Sequence, residues 1–181
     1  MASVNELISG IISREGGFVK HVDDPGGATR FGITEAVARR AGYIGHISEL
    51  PEALARRIYR EMYYEGPKFD QVAKLSEKIA EELTDTGVNM GVGVASTFLQ
   101  RALNVLNQQA KLYPDLVVDG QLGPRSLAAL NSYLGHRGKA GEIVMLKLLN
   151  CLQGARYVEL AEKNPKLESF LYGWIANRVE I

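Results

Sequence analysis

The chain has one cysteine, one tryptophan and three histidines in 181 residues, and no net charge at pH 7. A lone Cys151 excludes an intramolecular bridge, and with it the small disulfide-stapled folds. Set in Leu148-Leu149-Asn150-Cys151-Leu152, it reads as a buried free thiol. His21, His46 and His136 are too scattered for zinc-ligand spacing, so no metal site is expected. No segment approaches the run of about 18 apolar residues that suggests a membrane-spanning helix, so no stable membrane insertion is expected. No Lys or Arg precedes Arg14, and Asn5, Glu6, Ser9 and Gly10 interrupt the first apolar stretch, a pattern unlike a cleavable secretion signal. Residues 1–90 carry 11 basic and 14 acidic side chains, a balance of −3; residues 91–181 carry 10 and 7, a balance of +3. That asymmetry suits an anionic partner against the second half, but it is too weak to predict nucleic acid as that partner. Gly91-x-Gly93 lacks the strand–turn–helix setting of a dinucleotide fingerprint, and no Ser or Cys nucleophile motif occurs, so no cofactor is expected.

What is present is a chain long enough to bury a core without bridges, patterned mainly for helices. Ser3 and Glu6 have capping-box spacing, and Val4, Leu7, Ile8, Ile11 and Ile12 repeat at helical period until Gly16-Gly17. Residues 17–34 are rich in turn formers and predict a small irregular β-hairpin. A short helix is expected from Thr34 or Glu35 to Ala41. Another starts at Pro51 with Leu54, Ile58 and Met62 inward and ends before Gly66-Pro67. Further helices are predicted over 76–90, 94–106, 124–134, 139–163 and 165–179, with a loop from Tyr113 to Gly123 and a turn over Gly135–Gly138.

Three residues near the N-terminus can carry chemistry. Glu15 falls four residues after Ile11 and three after Ile12, on the apolar stripe of the first helix and at its C-terminal end. Burial and the negative end of the helix dipole both favour a protonated carboxyl there, as a proton donor to a leaving oxygen requires. Asp24 opens the turn Asp24-Pro25-Gly26-Gly27, where it is a second carboxylate for sugar chemistry or a turn former, with Asp23 adjacent. Thr29 is a candidate to hold a water, or an ordinary strand threonine. Gly27 and Gly32 allow tight turning and close approach of a flat sugar. Tyr63 and Tyr64, with Tyr59 one turn earlier, offer rings for sugar stacking or for core packing. Asn89 lies four residues after Asp85 on one helical face, placed to bind an N-acetyl group or to close the helix end.

The succession Glu15-Gly16-Gly17-Phe18, Asp24-Pro25-Gly26-Gly27-Ala28-Thr29 and Phe31-Gly32-Ile33-Thr34 resembles the catalytic region of lysozyme-like muramidases, and most closely glycoside hydrolase family 108. Asp85-Thr86-Gly87-Val88-Asn89-Met90-Gly91 resembles that family's D-x-x-V-N-x-G segment, and Tyr63-Tyr64 stands where the family tends to carry Tyr-Trp. Asp119-Gly120-Gln121-Leu122-Gly123-Pro124-Arg125-Ser126 resembles the D-G-x-x-G-P-x-T pattern of small peptidoglycan-binding modules, with Ser126 for Thr. The same eight residues also read as a turn followed by a helix start.

The resemblance implies a mainly α, lysozyme-like helical fold with one small β-hairpin near the N-terminus. It implies a catalytic segment over 1–91 and a helical, wall-binding segment over 92–181 packed into the same globule. The implied activity is a phage- or prophage-type endolysin cleaving the β-1,4 bond between N-acetylmuramic acid and N-acetylglucosamine. Glu15, Asp24 and Thr29 would be catalytic, and Gly27, Gly32, Tyr63, Tyr64 and Asn89 substrate-binding. The expected partners are peptidoglycan glycan strands, met by a monomer in the periplasm after holin-type release. A lytic transglycosylase or chitinase on the same fold, or a wall-remodelling protein assisting secretion, are the alternatives.

Overall fold

The computed structural model describes residues 3–19 and 28–179. The chain forms two compact units, residues 2–66 and 67–181.

Among its described residues the first unit holds three α-helices and a small sheet. Helix α1, Val4–Glu15, starts with the expected capping box: the Ser3 N–H donates to Glu6 Oε2 at 2.7 Å, and the Glu6 N–H donates to Ser3 Oγ at 3.3 Å. Ile8, Ile11 and Ile12 are buried. Strands β1 (Phe18–Val19), β2 (Thr29–Arg30) and β3 (Ile33–Thr34) form a three-stranded antiparallel sheet rather than a single hairpin. The register pairs Phe18 with Arg30, Thr29 with both Val19 and Thr34, and Arg30 with Ile33. Thr34 then caps α2, Glu35–Arg40, by accepting from the Val37 N–H at 3.3 Å.

Helix α3, Glu52–Arg60, runs on into a π-helical turn over Glu61–Glu65. Ala55, Ile58 and Tyr59 form its buried stripe. Arg56 donates to Ser9 Oγ at 2.8 Å and Arg60 to Asn5 Oδ1 at 3.3 Å, tying α3 to α1. Met62, expected inward, is exposed. The wider π turn shifts the phase of the stripe, so the residue four beyond Ile58 no longer follows it inward.

In the second unit a short helix that the sequence pattern did not suggest, α4 (Phe69–Ala73), precedes α5 (Glu77–Met90) and α6 (Val92–Leu106). Phe69, Val72, Ile79, Leu83, Leu99 and Leu103 are buried. Pro124–Lys163, α7, is one helix broken at Gly138, whose φ of +59° and ψ of −149° leave the helical region. The expected turn over 135–138 is thus a single-residue break, which glycine tolerates because it lacks Cβ. A one-turn 3₁₀ segment, Pro165–Leu167, leads into α8, Glu168–Arg178. Cys151 is exposed, contrary to its apolar surroundings in sequence. Leu149, Asn150, Gln153 and Tyr157 make the buried stripe of α7, and Cys151, two residues past Leu149, turns to the opposite side.

The loop between α6 and α7 hangs on three side-chain amides, two on α6 and one on Asn107 just past its end. Gln100 Nε2 donates to Asp119 Oδ1 at 2.8 Å and to the Gln121 carbonyl at 3.0 Å, and its Oε1 accepts from the Gly120 N–H at 2.9 Å. Asn104 exchanges two bonds of 2.8 Å with the Leu116 backbone. Asn107 donates to Asp115 Oδ1 at 2.9 Å and accepts from the Leu112 and Tyr113 N–H groups. The Asp119-Gly120 motif is therefore held as loop architecture. Hydrogen bonds from Gln100 and from the Gln121 N–H keep the Asp119 carboxyl below the usual carboxylate range.

Candidate active site

The N-terminal unit brings one carboxylate, one phenol and one turn of main chain together. Glu15 is the last residue of α1 and Gly16, with φ of +68°, ends the helix. Glu15 is exposed rather than buried on the stripe, because no further helical turn follows it.

The β2–β3 turn lies beside it. Phe31 and Gly32, its two central residues, have φ of +54° and +71°, as a type I′ hairpin turn requires. The Arg30 guanidinium sits 5.1 Å from the centroid of the Phe31 ring and also donates to the Ser48 carbonyl. From α3, the Tyr59 hydroxyl donates to the Phe31 carbonyl at 2.6 Å. A Cβ built on Gly32 would stand 2.8 Å from Tyr59 Oη and 2.9 Å from both Cγ and Oε2 of Glu15. Glu15, the turn and the Tyr59 hydroxyl therefore meet at one point, with the two side-chain oxygens less than about 6 Å apart. Burial, and secondarily the negative charge of Glu15, push the Tyr59 phenol up to about 12.

Tyr63, one turn beyond Tyr59, stacks on it with centroids 6.0 Å apart and planes at 21°. Tyr64 lies under the Arg60 guanidinium at 5.0 Å. Both rings are half-buried, so each combines a packing partner with exposed surface. Thr29, also half-buried, stands on β2 two residues before the turn. Asp24 and Gly27 lie outside the described residues. Asn89 belongs to the second unit, where its side-chain amide donates to the Asp85 carbonyl at 2.8 Å and to Asp85 Oδ1 at 3.2 Å; both bonds close the end of α5.

The residues missed in sequence are Phe31 and the hydroxyl of Tyr59. Phe31-Gly32 between two strand-like pairs is a hairpin signal, but Phe is an uncommon first residue for a turn needing positive φ. The Tyr59 ring was visible as a helical aromatic; its bond across 28 residues of sequence was not.

An α-rich unit with a short antiparallel sheet after its first helix, and a carboxylate at that helix's end, defines a lysozyme-like fold. The structure of SagA from Brucella abortus matches with a TM-score of 0.57 at 25% sequence identity, covering 93% of this chain and 85% of SagA. No curated protein matches the chain. Residues 8–91 match the family described as Glycosyl hydrolase 108, and residues 94–179 the one described as Predicted Peptidoglycan domain. The pairing of a glycosyl hydrolase 108 segment with a predicted peptidoglycan segment marks the protein as a glycoside hydrolase with peptidoglycan as its substrate. The family match spans the whole sheet and continues through α4 and α5 of the second unit.

Proposed function

We propose that the protein is an N-acetylmuramidase that hydrolyses the β-1,4 bond between N-acetylmuramic acid and N-acetylglucosamine. In this reading Glu15 protonates the leaving glycosidic oxygen, and Asp24 or a water held by Thr29 deals with the oxocarbenium-like centre. The observation that carries the assignment is the seating of the Glu15 carboxyl against Gly32 and Tyr59, inside the segment matched to glycosyl hydrolase 108. A sugar reaching Glu15 would meet Gly32, which is exposed and has no side chain to hold it off. Tyr63 and Tyr64 would supply ring faces on the same unit. The segment over 92–181 would hold the wall, and the enzyme would act on it in the periplasm after holin-type release, as endolysins do.

Purified peptidoglycan digested by the wild type and by Glu15→Gln tests this. Loss of a proton donor should lower turnover by about 10²–10⁴-fold. Full activity in the variant would sink the assignment. Product masses then separate the chemistries: muramic-acid reducing ends indicate hydrolysis at the proposed bond, 1,6-anhydro ends indicate a transglycosylase, and glucosamine reducing ends place the cut at the other linkage.

A further inference from the structure

The position of the Glu15 carboxyl is not set by its own helix. Glu15 is exposed at the last residue of α1, and its side chain has three rotatable bonds. What stands against it is the Phe31–Gly32 turn, since Glu15 Cγ and Oε2 both lie 2.9 Å from where a Gly32 Cβ would be. That turn is poorly specified by its own residues. Type I′ turns favour Asn-Gly or Gly-Gly, whereas a bulky Phe31 at φ of +54° is a conformation such residues avoid.

The turn is instead held from outside. The Tyr59 O–H donates to the Phe31 carbonyl at 2.6 Å, and Tyr59 is itself firmly placed: it lies on α3, is buried, and stacks on Tyr63. A phenol has one proton to donate, and this one is committed to the Phe31 carbonyl, so toward Glu15 the hydroxyl offers lone pairs only. A side chain that does not bond Glu15 directly can still decide where Glu15 lies.

We propose that Tyr59 is a positioning residue for Glu15, acting by holding the Phe31–Gly32 turn against which the Glu15 carboxyl rests; it has this role only if Glu15 is the proton donor proposed above. A reacting group displaced by about 1 Å loses on the order of 100-fold in rate, mostly in the chemical step. Binding of the remaining glycan, by contrast, does not depend on where that carboxyl points.

Turnover and KM on soluble peptidoglycan fragments, with thermal midpoints, are measured for four proteins: wild type, Tyr59→Phe, Tyr59→Phe with Phe31→Asn, and Glu15→Gln. Tyr59→Phe keeps the ring and its stack and removes only the donor. Its kcat should fall about 10- to 100-fold with KM within about twofold. Phe31→Asn creates Asn-Gly, which holds a type I′ turn without help, so the double variant should regain most of the lost turnover. Unchanged kcat in folded Tyr59→Phe, a loss confined to KM, or no recovery in the double variant would each overturn the positioning role. If Tyr59→Phe fails to fold, the double variant decides alone: wild-type-like turnover supports the role, and folded protein with low turnover overturns it. Glu15→Gln separates the two readings: full activity there removes Glu15 as the donor, whereas an inactive Glu15→Gln beside an unaffected Tyr59→Phe removes only Tyr59.

Discussion

At position 32 two independent constraints converge on glycine. The φ of +71° disfavours any side chain, and a Cβ would also meet Tyr59 Oη, Glu15 Cγ and Glu15 Oε2 at under 3 Å. Neither Tyr59 nor Glu15 can yield without breaking the 2.6 Å bond to Phe31 or moving the carboxyl. Gly32→Ala should therefore lower stability by about 1–2 kcal/mol from backbone strain alone, and should lower kcat by more than that loss explains. Chemical denaturation together with turnover at a temperature where the variant remains folded checks both. Activity equal to the wild type would mean that the carboxyl's position is not critical. The glycine was legible in sequence as a turn former beside a candidate acid. That it makes room for the acid itself was not, because the approach runs between residues 17 positions apart.

At the level of elements, helices were the legible part and the segments between them were not. The box at Ser3 and Glu6, the cap at Ser76 and the stops near Gly16 and Gly91 all follow local rules that act within four residues. The π turn over Glu61–Glu65 obeys no such local rule, and it moved Met62 out of the core. The loop from Leu112 to Gln121 has no regular structure of its own and borrows its order from Gln100, Asn104 and Asn107. These amides recur along α6 and at the residue that caps it, among apolar neighbours, a pattern that signals a buried polar seam. Gln100 is almost wholly buried and makes three of these bonds. Gln100→Ala leaves the Gly120 N–H and the Asp119 carboxyl without that partner and should cost about 2–3 kcal/mol. Amide exchange over 115–121 should rise in the same variant while the core of α5 stays protected. Unaltered exchange in the loop would show that the amides decorate rather than hold it.

Across the whole molecule, buried phenols set a limit at high pH. Tyr59 and Tyr113 are pushed up to about 12, chiefly by burial, helped by the charge of Glu15 at the first and by Tyr133 and Asp115 at the second. Tyr133 and Tyr157 are raised as well, again by burial first. A group whose folded value lies above its unfolded value stabilises fully below the unfolded value and loses that contribution as pH climbs through the folded one. Stability should therefore fall between pH 10 and about 12, and Tyr113→Phe should flatten part of that decline. Denaturation curves across this range test it, and equal pH slopes in wild type and Tyr113→Phe would contradict it. The amino-acid sequence by itself determined the helical class, the caps, the match of residues 8–91 to glycosyl hydrolase 108 and the nomination of Glu15, because each depends on periodicity, on neighbours a few residues apart, or on a motif. Only the tertiary structure decided that Glu15 is exposed, that Cys151 faces outward, and that Tyr59 reaches the Phe31 carbonyl beside Glu15. Those are matters of which faces meet, and distance along the chain carries no information about them until the helices and the small sheet have packed.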